Sequence, residues 1–328
     1  MKTTNIIAAL LVSAAALLAL SACGKQEEKG QNASSAPKEK IIGIAIPAAD
    51  HGWTGGVVYW ANRAKADIEK QDPSAKVLIA AAASSGEQVD KIENLLVQGI
   101  QALVVLPNEP APLTGICSRA ADKGVRLIVV DRGLTKNVET LYVAGDNRGF
   151  GARSAEVIAK ELGGKGKIVV MEGIPCQTNT DRVEAFREVM KNYPDIEIMD
   201  SQSAYWSTER GMTLMEAYLQ KHPQIDAVWA GDDDVLLGAL KAYESAKRSD
   251  VKLFVGGGGS KAIVKKILDG DPLVRQTVTY PPKMIYVAAQ EALKLLNGQT
   301  PSQKTLTVPA EIVEKSNAAD FYFPDSAY

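Results

Sequence analysis

The residues of this sequence best suited to chemistry lie in short polar segments that follow apolar runs. They combine carboxylates, an imidazole, an amide, guanidinium groups and two indoles: Asp50, His51, Trp53, Asp131, Arg132, Asn179, Arg182, Trp206 and Asp232. A neutral polyhydroxyl ligand needs this mixture, because charged groups bind its hydroxyls while flat apolar rings cover its C–H faces. Arginine and aspartate in one cleft also compensate each other's charge. We therefore predict a binding site for a sugar-like molecule.

Several of these residues also have a purely structural interpretation. Trp206 could be an ordinary surface-loop aromatic, Arg182 a helix residue that faces water, and Asp131 a strand-end carboxylate that caps a turn. The acidic run 232–234 could serve only as a helix N-cap, and we expect one of its three carboxylates to reach a ligand. Because every strand-end segment carries such a residue, we favour the binding interpretation.

The polar segments recur because strand-like apolar runs alternate along the chain with stretches of helical periodicity. Residues 41–47 form an almost purely apolar run, and one helical face then carries Val57, Ala61, Ala64 and Ile68. Strands that alternate with helices of this kind predict right-handed crossovers and a parallel sheet. Ligands of open parallel sheets bind at the carboxyl ends of the strands, where the polar segments lie.

The alternation restarts after residues 145–149, which read Gly-Asp-Asn-Arg-Gly and predict a crossing point. The second half copies the layout of the first, so two domains of like fold are the simplest account. We expect an N-terminal lobe from residues 41–145 plus 280–309 and a C-terminal lobe from residues 146–279 plus 310–328. 

Three local predictions accompany this layout. We predict a strand at residues 196–199, a loop at residues 172–180 and a tail from Thr305 onward.

Cys117 shares a helical face with apolar residues and should be buried, whereas Cys176 lies in a loop. We expect both thiols to be free.

Composition and missing motifs exclude several functional classes. The 328-residue chain is 46% hydrophobic, enough for two medium cores, and its formal net charge of −2 argues against a nucleic-acid partner. It has no Gly-x-Ser-x-Gly elbow, no His-Glu-x-x-His motif, no cysteine pair at zinc spacing and no dinucleotide fingerprint. The glycine run 256–259 lacks the Walker order of Lys before Ser, so we interpret it as a turn. We predict a protein that is not an enzyme and that uses no metal and no cofactor.

The first forty residues carry targeting features. A positive start, an apolar stretch over residues 6–20 and small residues after it are typical of an export signal. The end of this stretch, Leu-Ser-Ala-Cys, resembles the bacterial lipobox, so we predict a lipoprotein signal peptide over residues 1–23 with lipid attached to Cys23; an ordinary signal peptide is the alternative. Residues 24–40 are polar and predict a flexible tether. We expect the folded part on the periplasmic or extracytoplasmic face of the cell envelope.

Five motifs occur in order along the chain: Val-Val-Asp-Arg at 129–132, Gly-Asp-Asn at 145–147, Asp-Arg-Val-Glu-Ala-Phe at 181–186, Ala-Tyr-Trp at 204–206 and Trp-Ala-Gly-Asp-Asp at 229–233. From residue 41 to about 313 the chain thereby resembles type I periplasmic binding proteins of the ribose and galactose type. The resemblance implies two similar doubly wound parallel-sheet α/β domains joined by a three-strand hinge near Asp146, Thr279 and Pro309.

The resemblance also implies roles for the site residues. Trp53 and Trp206 would stack on opposite faces of a sugar ring, each from a different domain. Hydroxyls would be bound from the first domain by Asp131 and Arg132, and from the second by Arg182 and Asp232.

Four positions depart from the ribose type or correspond to it inexactly. His51 stands where that type has an amide, and Thr279 falls where it has a glutamine. Thr54 replaces an aromatic residue and Gly258 replaces an aspartate. Because the Gly258 change removes a hydroxyl acceptor and opens space, we expect a ligand that is larger, less hydroxylated or differently oriented than ribose.

The implied function is the capture of a small neutral sugar or polyol between two closing lobes. A lipid-anchored monomer would then deliver the ligand to the permease of an ABC transporter, because a ligand that touches both lobes favours their closed arrangement. The alternative is a signalling receptor that binds a sugar-like or furanone cue and presents its closed form to a membrane sensor.

Overall fold

The computed structural model of the protein describes residues 39–49 and 52–328. The predicted signal peptide, the lipidation site Cys23 and nearly all of the predicted tether lie outside the described residues. Asp50 and His51 lie outside them too. The roles predicted for these residues therefore stay predictions.

In the described part of the chain, strands and helices alternate over most of its length. The strands are β1 (Lys40–Pro47), β2 (Ala75–Ala82), β3 (Ala102–Val105), β4 (Arg126–Val130), β5 (Leu141–Gly145), β6 (Gly166–Glu172), β7 (Ile196–Ser203), β8 (Ala227–Ala230), β9 (Leu253–Gly258), β10 (Gln276–Thr279), β11 (Thr305–Val308) and β12 (Ile312–Glu314). The helices are α1 (Gly52–Gln71), α2 (Ser85–Val97), α3 (Pro110–Asp122), α4 (Asn147–Glu161), α5 (Gln177–Met190), α6 (Thr208–Lys221), α7 (Asp233–Ala246), α8 (Lys261–Asp269), α9 (Met284–Leu296) and α10 (Ala318–Phe321).

The strands form two six-stranded sheets with the same layout. The first sheet has the order β11-β5-β4-β3-β1-β2, and the second has the order β12-β10-β9-β8-β6-β7. Neighbouring strands are parallel throughout, except that β12 is antiparallel to β10. The predicted pair of doubly wound parallel-sheet domains is thus confirmed. In the first sheet β2 and β3 lie on opposite sides of β1, and in the second sheet β7 and β8 lie on opposite sides of β6. The strand order therefore reverses at β1 and at β6, and open sheets bind ligands at such points.

Both faces of the first sheet are covered by helices, and this explains its apolar strands. Ile44 and Val104 belong to the core formed with α1 and α9, whereas Ala45 and Leu103 belong to the core formed with α2 and α3. Alternating side chains of one strand therefore enter different cores, so every position along the strand must be apolar. Cys117 of α3 is buried in the second of these cores, as predicted, and burial raises the pKa of its thiol to about 12.

The chain passes between the two sheets three times, after β5, β10 and β11. At these crossings the Asp146 N–H donates to the Val308 carbonyl at 3.0 Å, and the Thr279 N–H donates to the Glu311 carbonyl at 2.8 Å. The Thr279 hydroxyl also accepts from the Glu311 N–H at 2.9 Å. The predicted connection near Asp146, Thr279 and Pro309 is confirmed, and the crossings are bonded to one another.

Three local predictions were wrong because polar sequence hid regular structure. The strand predicted to end at Met199 continues through Ser203 as β7, an edge strand whose far half is polar. The tail from Thr305 contains β11, in which exposed and half-buried residues alternate. The loop predicted over residues 172–180 ends earlier, since α5 begins at Gln177. Asn179 accordingly lies in a first helical turn and not in a loop.

No helix within residues 39–49 and 52–328 has the length and apolarity needed to cross a membrane.

Candidate functional site

Tyr280, which directly follows β10, connects the carboxyl ends of the two sheets. Its hydroxyl donates to Asp131 Oδ1 at 2.5 Å, just beyond β4, and its backbone carbonyl accepts from Trp53 Nε1 at 3.0 Å. On the side of the second sheet, the Arg182 guanidinium carbon lies 4.4 Å from the centre of the Tyr280 ring. Tyr280 is only 6% exposed. One buried phenol thus brings predicted residues of both sheets together.

The Arg182 guanidinium is buried, with 6% of the residue exposed. Its Nε donates to Asn147 Oδ1 at 2.9 Å, and its Nη1 donates to the Gly231 carbonyl at 3.1 Å. Its carbon lies 4.2 Å from the centre of the Phe150 ring and 5.8 Å from that of Trp206, within the range of cation–π attraction. The alternative in which Arg182 faces water is therefore wrong.

Each of the two predicted indoles lies near one member of this group. Trp53 lies in the first turn of α1, with its ring centre 6.2 Å from that of Tyr280 and the two planes tilted by 30°. Trp206 lies in the turn after β7, over Gly173, where a Cβ would fall 2.1 Å from the indole nitrogen. That nitrogen is buried and has no hydrogen-bond partner among the residues described. Both indoles thus adjoin the Tyr280–Arg182 pair.

The acidic run after β8 divides into structural and site-facing carboxylates. Asp232 is the N-cap of α7 and accepts from the Asp234 N–H at 2.8 Å. Asp233 is fully buried and accepts hydrogen bonds from the Thr277 hydroxyl at 3.0 Å and from the backbone N–H groups of Gly259 and Ser260 at 3.0 and 2.6 Å, which belong to the second sheet and the loop beyond β9. Asp233 therefore holds the fold, and the half-buried Asp232 is the carboxylate beside Arg182.

Burial and mutual repulsion change the acidity of these carboxyls. Burial raises the pKa of Asp232 to about 8; Asp234 and Asp233 raise it further, while Arg182 opposes the shift. Burial also raises the pKa of Asp233 to about 6 against the hydrogen bonds that it accepts. The raised pKa favours the protonated form of the Asp232 carboxyl, which can donate a hydrogen bond as well as accept one.

Three residues beside the site have left-handed backbone angles: Asp131 (φ 58°), Tyr205 (φ 56°) and Trp206 (φ 55°). Such angles cost of order 1–3 kcal/mol each outside glycine, and they persist only where the surroundings impose them. They occur where β4 and β7 end, so the backbone is strained at the points that present a carboxylate and an indole.

Three predicted site residues bind backbone groups next to the site. Arg132 Nη1 donates to the Asn108 carbonyl at 2.9 Å, across to the loop after β3. Asn179 Oδ1 accepts from the Gly173 N–H at 2.7 Å, and the Thr279 hydroxyl is bonded at the crossing described above. These side chains fix the loops that surround Tyr280 and Arg182.

Sequence reasoning missed several residues of this group. Asn147 lies inside one of the recognised motifs and Tyr280 stands next to Thr279, so both had a local signal. Phe150, fully buried beneath Arg182, had only its helical periodicity. Within the ranges that the structure describes, no three His, Cys, Asp or Glu side chains are arranged to hold a metal ion.

Comparison with known proteins identifies relatives along most of the chain. The periplasmic binding protein domain matches residues 42–300. The ribose import binding protein of Bacillus subtilis is 31% identical over 304 residues, which cover 90% of this chain and 95% of that protein. The xylitol-binding protein of Mycolicibacterium smegmatis is 31% identical over 278 residues, which cover 83% and 75%.

Solved structures share the fold. The fructose-binding periplasmic domain of a hybrid two-component system superposes with a TM-score of 0.71 at 27% identity, covering 87% of this chain and 93% of that one. A periplasmic solute-binding protein of an ABC transporter from Actinobacillus succinogenes, with bound D-allose, gives a TM-score of 0.74 at 24% identity, covering 86% and 100%. The chain therefore belongs to the periplasmic binding protein family, in its type I sugar-binding group.

Proposed function

We propose that the protein captures a small neutral sugar or polyol at the carboxyl ends of its two sheets and delivers it to an ABC transporter permease. The observation that carries this proposal is Tyr280, which joins Asp131 and Trp53, on the side of the first sheet, to Arg182, on the side of the second. Groups that bind hydroxyls and rings that cover C–H faces thereby meet in one place. Relatives whose names specify ribose and xylitol support the same ligand class.

In this proposal Trp53 and Trp206 stack on the ligand, while Asp131, Asp232 and Arg182 bind its hydroxyls. A guanidinium has five N–H donors, of which Asn147 and Gly231 engage two. Arg132, Asn179 and Thr279 hold the surrounding loops, and direct contact of these three with ligand, like that of Asp50 and His51, stays a prediction.

Ligand capture requires the two lobes to move. We propose that one lobe comprises residues 41–145 plus 280–309 and the other residues 146–279 plus 310–328. We also propose that the protein is a monomer. The three crossings are short, so they can bend while both sheets stay intact. A ligand that touches both lobes stabilises the closed arrangement by its differential contacts.

The ligand class and the role of the indoles can be tested together by a thermal-shift screen of D-ribose, D-allose, D-fructose, xylitol and myo-inositol. A ligand at 100 times its Kd should add about 2.7 kcal/mol of stability, which raises Tm by roughly 5–10 °C.

Trp53→Ala and Trp206→Ala should each weaken the binding of that ligand about tenfold or more in calorimetric titration, because its apolar face loses a ring. Tyr205→Ala is the control, since Tyr205 is 44% exposed and stacks on Arg210. Equal losses in all three variants would contradict the assignment.

The protonation of Asp232 can be tested through stability. Between pH 6 and 8 the folded state binds a proton at Asp232 that the unfolded chain, with a pKa near 3.8, has released. The free energy of unfolding should therefore fall as pH rises across this window. Asp232→Asn keeps the helix cap. It should make the free energy of unfolding less dependent on pH, by up to about the contribution of one bound proton. Urea titrations at several pH values measure it, and an unchanged slope would show that Asp232 is already ionised.

A signalling receptor is the second candidate function, and one observation favours it: a structural neighbour is the fructose-binding domain of a hybrid two-component system. Membrane vesicles that contain an ABC transporter permease and its ATPase from the organism that makes this protein provide the test. Ligand-loaded protein should increase their ATP hydrolysis several-fold over protein without ligand, since a closed binding protein is what a permease recognises. No increase, together with ligand-dependent phosphorylation of a membrane sensor, would favour signalling.

We also propose that Cys23 carries the lipid that holds the protein at the membrane. Cys23→Ser should prevent lipid attachment and cleavage at this position, so the protein should migrate as a larger species. Mass spectrometry of the purified protein and metabolic labelling with a fatty-acid analogue check both effects. Cys176→Ser is the matched control, because Cys176 is an exposed free thiol within the folded part. Label that persists in Cys23→Ser would refute the proposal.

A further inference from the structure

Tyr328 is buried although the segment that carries it, residues 323–328, contains no helix or strand. The tyrosine is 6% exposed, and its N–H donates to the Ser326 hydroxyl at 3.2 Å. Lys261, at the start of α8, donates to the Ser326 carbonyl at 2.5 Å. The Lys261 ammonium thus holds this segment against α8, on the side of the second sheet.

The same segment is fixed to the first sheet's side by an aromatic contact. The Phe323 ring meets the Trp60 ring of α1 edge-to-face, with centres 4.9 Å apart. Residues 323–328 therefore bridge elements of both sheets, as a ligand in the proposed site would.

Three glycines provide the space that the Tyr328 side chain fills. A Cβ at Gly52 or Gly56, in α1, would lie 3.0 Å from Tyr328 carbon atoms. A Cβ at Gly258, at the end of β9, would lie 1.8 Å from the Tyr328 hydroxyl oxygen. The phenol therefore occupies the space beside Gly258 that a side chain at that position would need. The space that the sequence predicted to open at Gly258 is therefore filled by a residue from a distant part of the chain.

The Tyr328 hydroxyl lies among the charges of the site. Burial raises its pKa well above the usual value, and the carboxyls of Asp232, Asp233 and Asp234 raise it further while Arg182 opposes them. The phenol consequently stays protonated and can donate a hydrogen bond. Its oxygen is buried, and among the described residues it has no hydrogen-bond partner. A buried polar group of this kind is costly unless something else binds it.

We propose that Tyr328 is a specificity-determining residue of the site: its ring forms the wall beside Gly258, and its hydroxyl binds a hydroxyl of the ligand. This inference rests on the proposed sugar-binding function. The unpartnered hydroxyl is the reason to assign ligand contact and not simple obstruction, because a side chain that only blocked a cleft would gain nothing from a buried polar end. The ligand class is a neutral polyol short enough to fit against a phenol.

Tyr328→Phe and Tyr328→Ala test the inference by calorimetric titration with whichever of D-ribose, D-allose, D-fructose, xylitol and myo-inositol gives the largest thermal shift. Tyr328→Phe keeps the ring and should weaken binding about 3- to 10-fold, the range for one lost hydrogen bond. Tyr328→Ala should weaken it further and should reduce the discrimination between pentose and hexose, since the wall is gone. Tyr322→Phe, which removes a half-buried phenol hydroxyl from the same part of the chain, is the matched control and should bind normally.

Each result of this experiment decides something. Weaker binding in Tyr328→Phe with normal binding in Tyr322→Phe supports the inference. Unchanged binding in both Tyr328 variants, with wild-type binding intact, overturns it while the proposed function stands. Tighter binding in Tyr328→Ala also overturns it, because the segment would then compete with the ligand. If the wild-type protein binds none of the five probes, the proposed function fails and this inference fails with it.

Discussion

The burial of the Arg182 charge is the constraint on which the site depends. A guanidinium removed from water costs several kcal/mol unless other groups compensate it. Here a carbonyl oxygen, an amide oxygen and two aromatic faces do so, supplied by Gly231, Asn147, Phe150 and Tyr280. These groups come from the loop after β8, the start of α4 and the crossing after β10. The cation therefore holds together three segments that sequence separates, and it keeps the Tyr280 ring in place.

In the proposed function, charge balance around this cation favours an uncharged ligand. The raised pKa of Asp232, next to Arg182, favours the neutral form of its carboxyl, while Asp131 accepts from Tyr280 on the other side. The charged groups of this site thus have hydrogen-bond or aromatic partners within the protein itself. A ligand with a net charge would leave one of them uncompensated in a poorly hydrated place. Hydroxyl groups, which both donate and accept, can join the network without altering its balance.

The sequence predicted the sheets well because strands covered on both faces must be apolar at every position, as in β1, β3 and β4. The sequence also located the residues that follow the strands, since charged and aromatic side chains stand out directly after apolar runs. It could not predict the direction of a side chain: Arg132 was correctly found at a strand end, yet its guanidinium binds a neighbouring loop carbonyl. The far half of β7 was missed because an edge strand tolerates polar residues.

Tyr280 and Tyr328 show the other limit of sequence reasoning. Tyr280 bonds to Asp131 across 149 positions of the chain, and no local pattern reports such a contact. The glycines that accommodate Tyr328 look like ordinary turn or helix-start residues until the distant ring is placed against them. Binding sites formed where two domains meet are assembled from contacts of this kind, so their residue types are easier to recognise than their arrangement.

The left-handed backbone at Asp131 and Trp206 restricts how this site can adapt. Valine, isoleucine and threonine are poorly tolerated at such angles, because a branched Cβ collides with the neighbouring carbonyl. Only a narrow range of side chains can therefore replace these two residues during evolution without weakening the fold. Trp53, on a helix, has no such restriction. In the proposed function, divergence toward a new ligand should accordingly begin at Trp53 of α1, while the two strained positions change last.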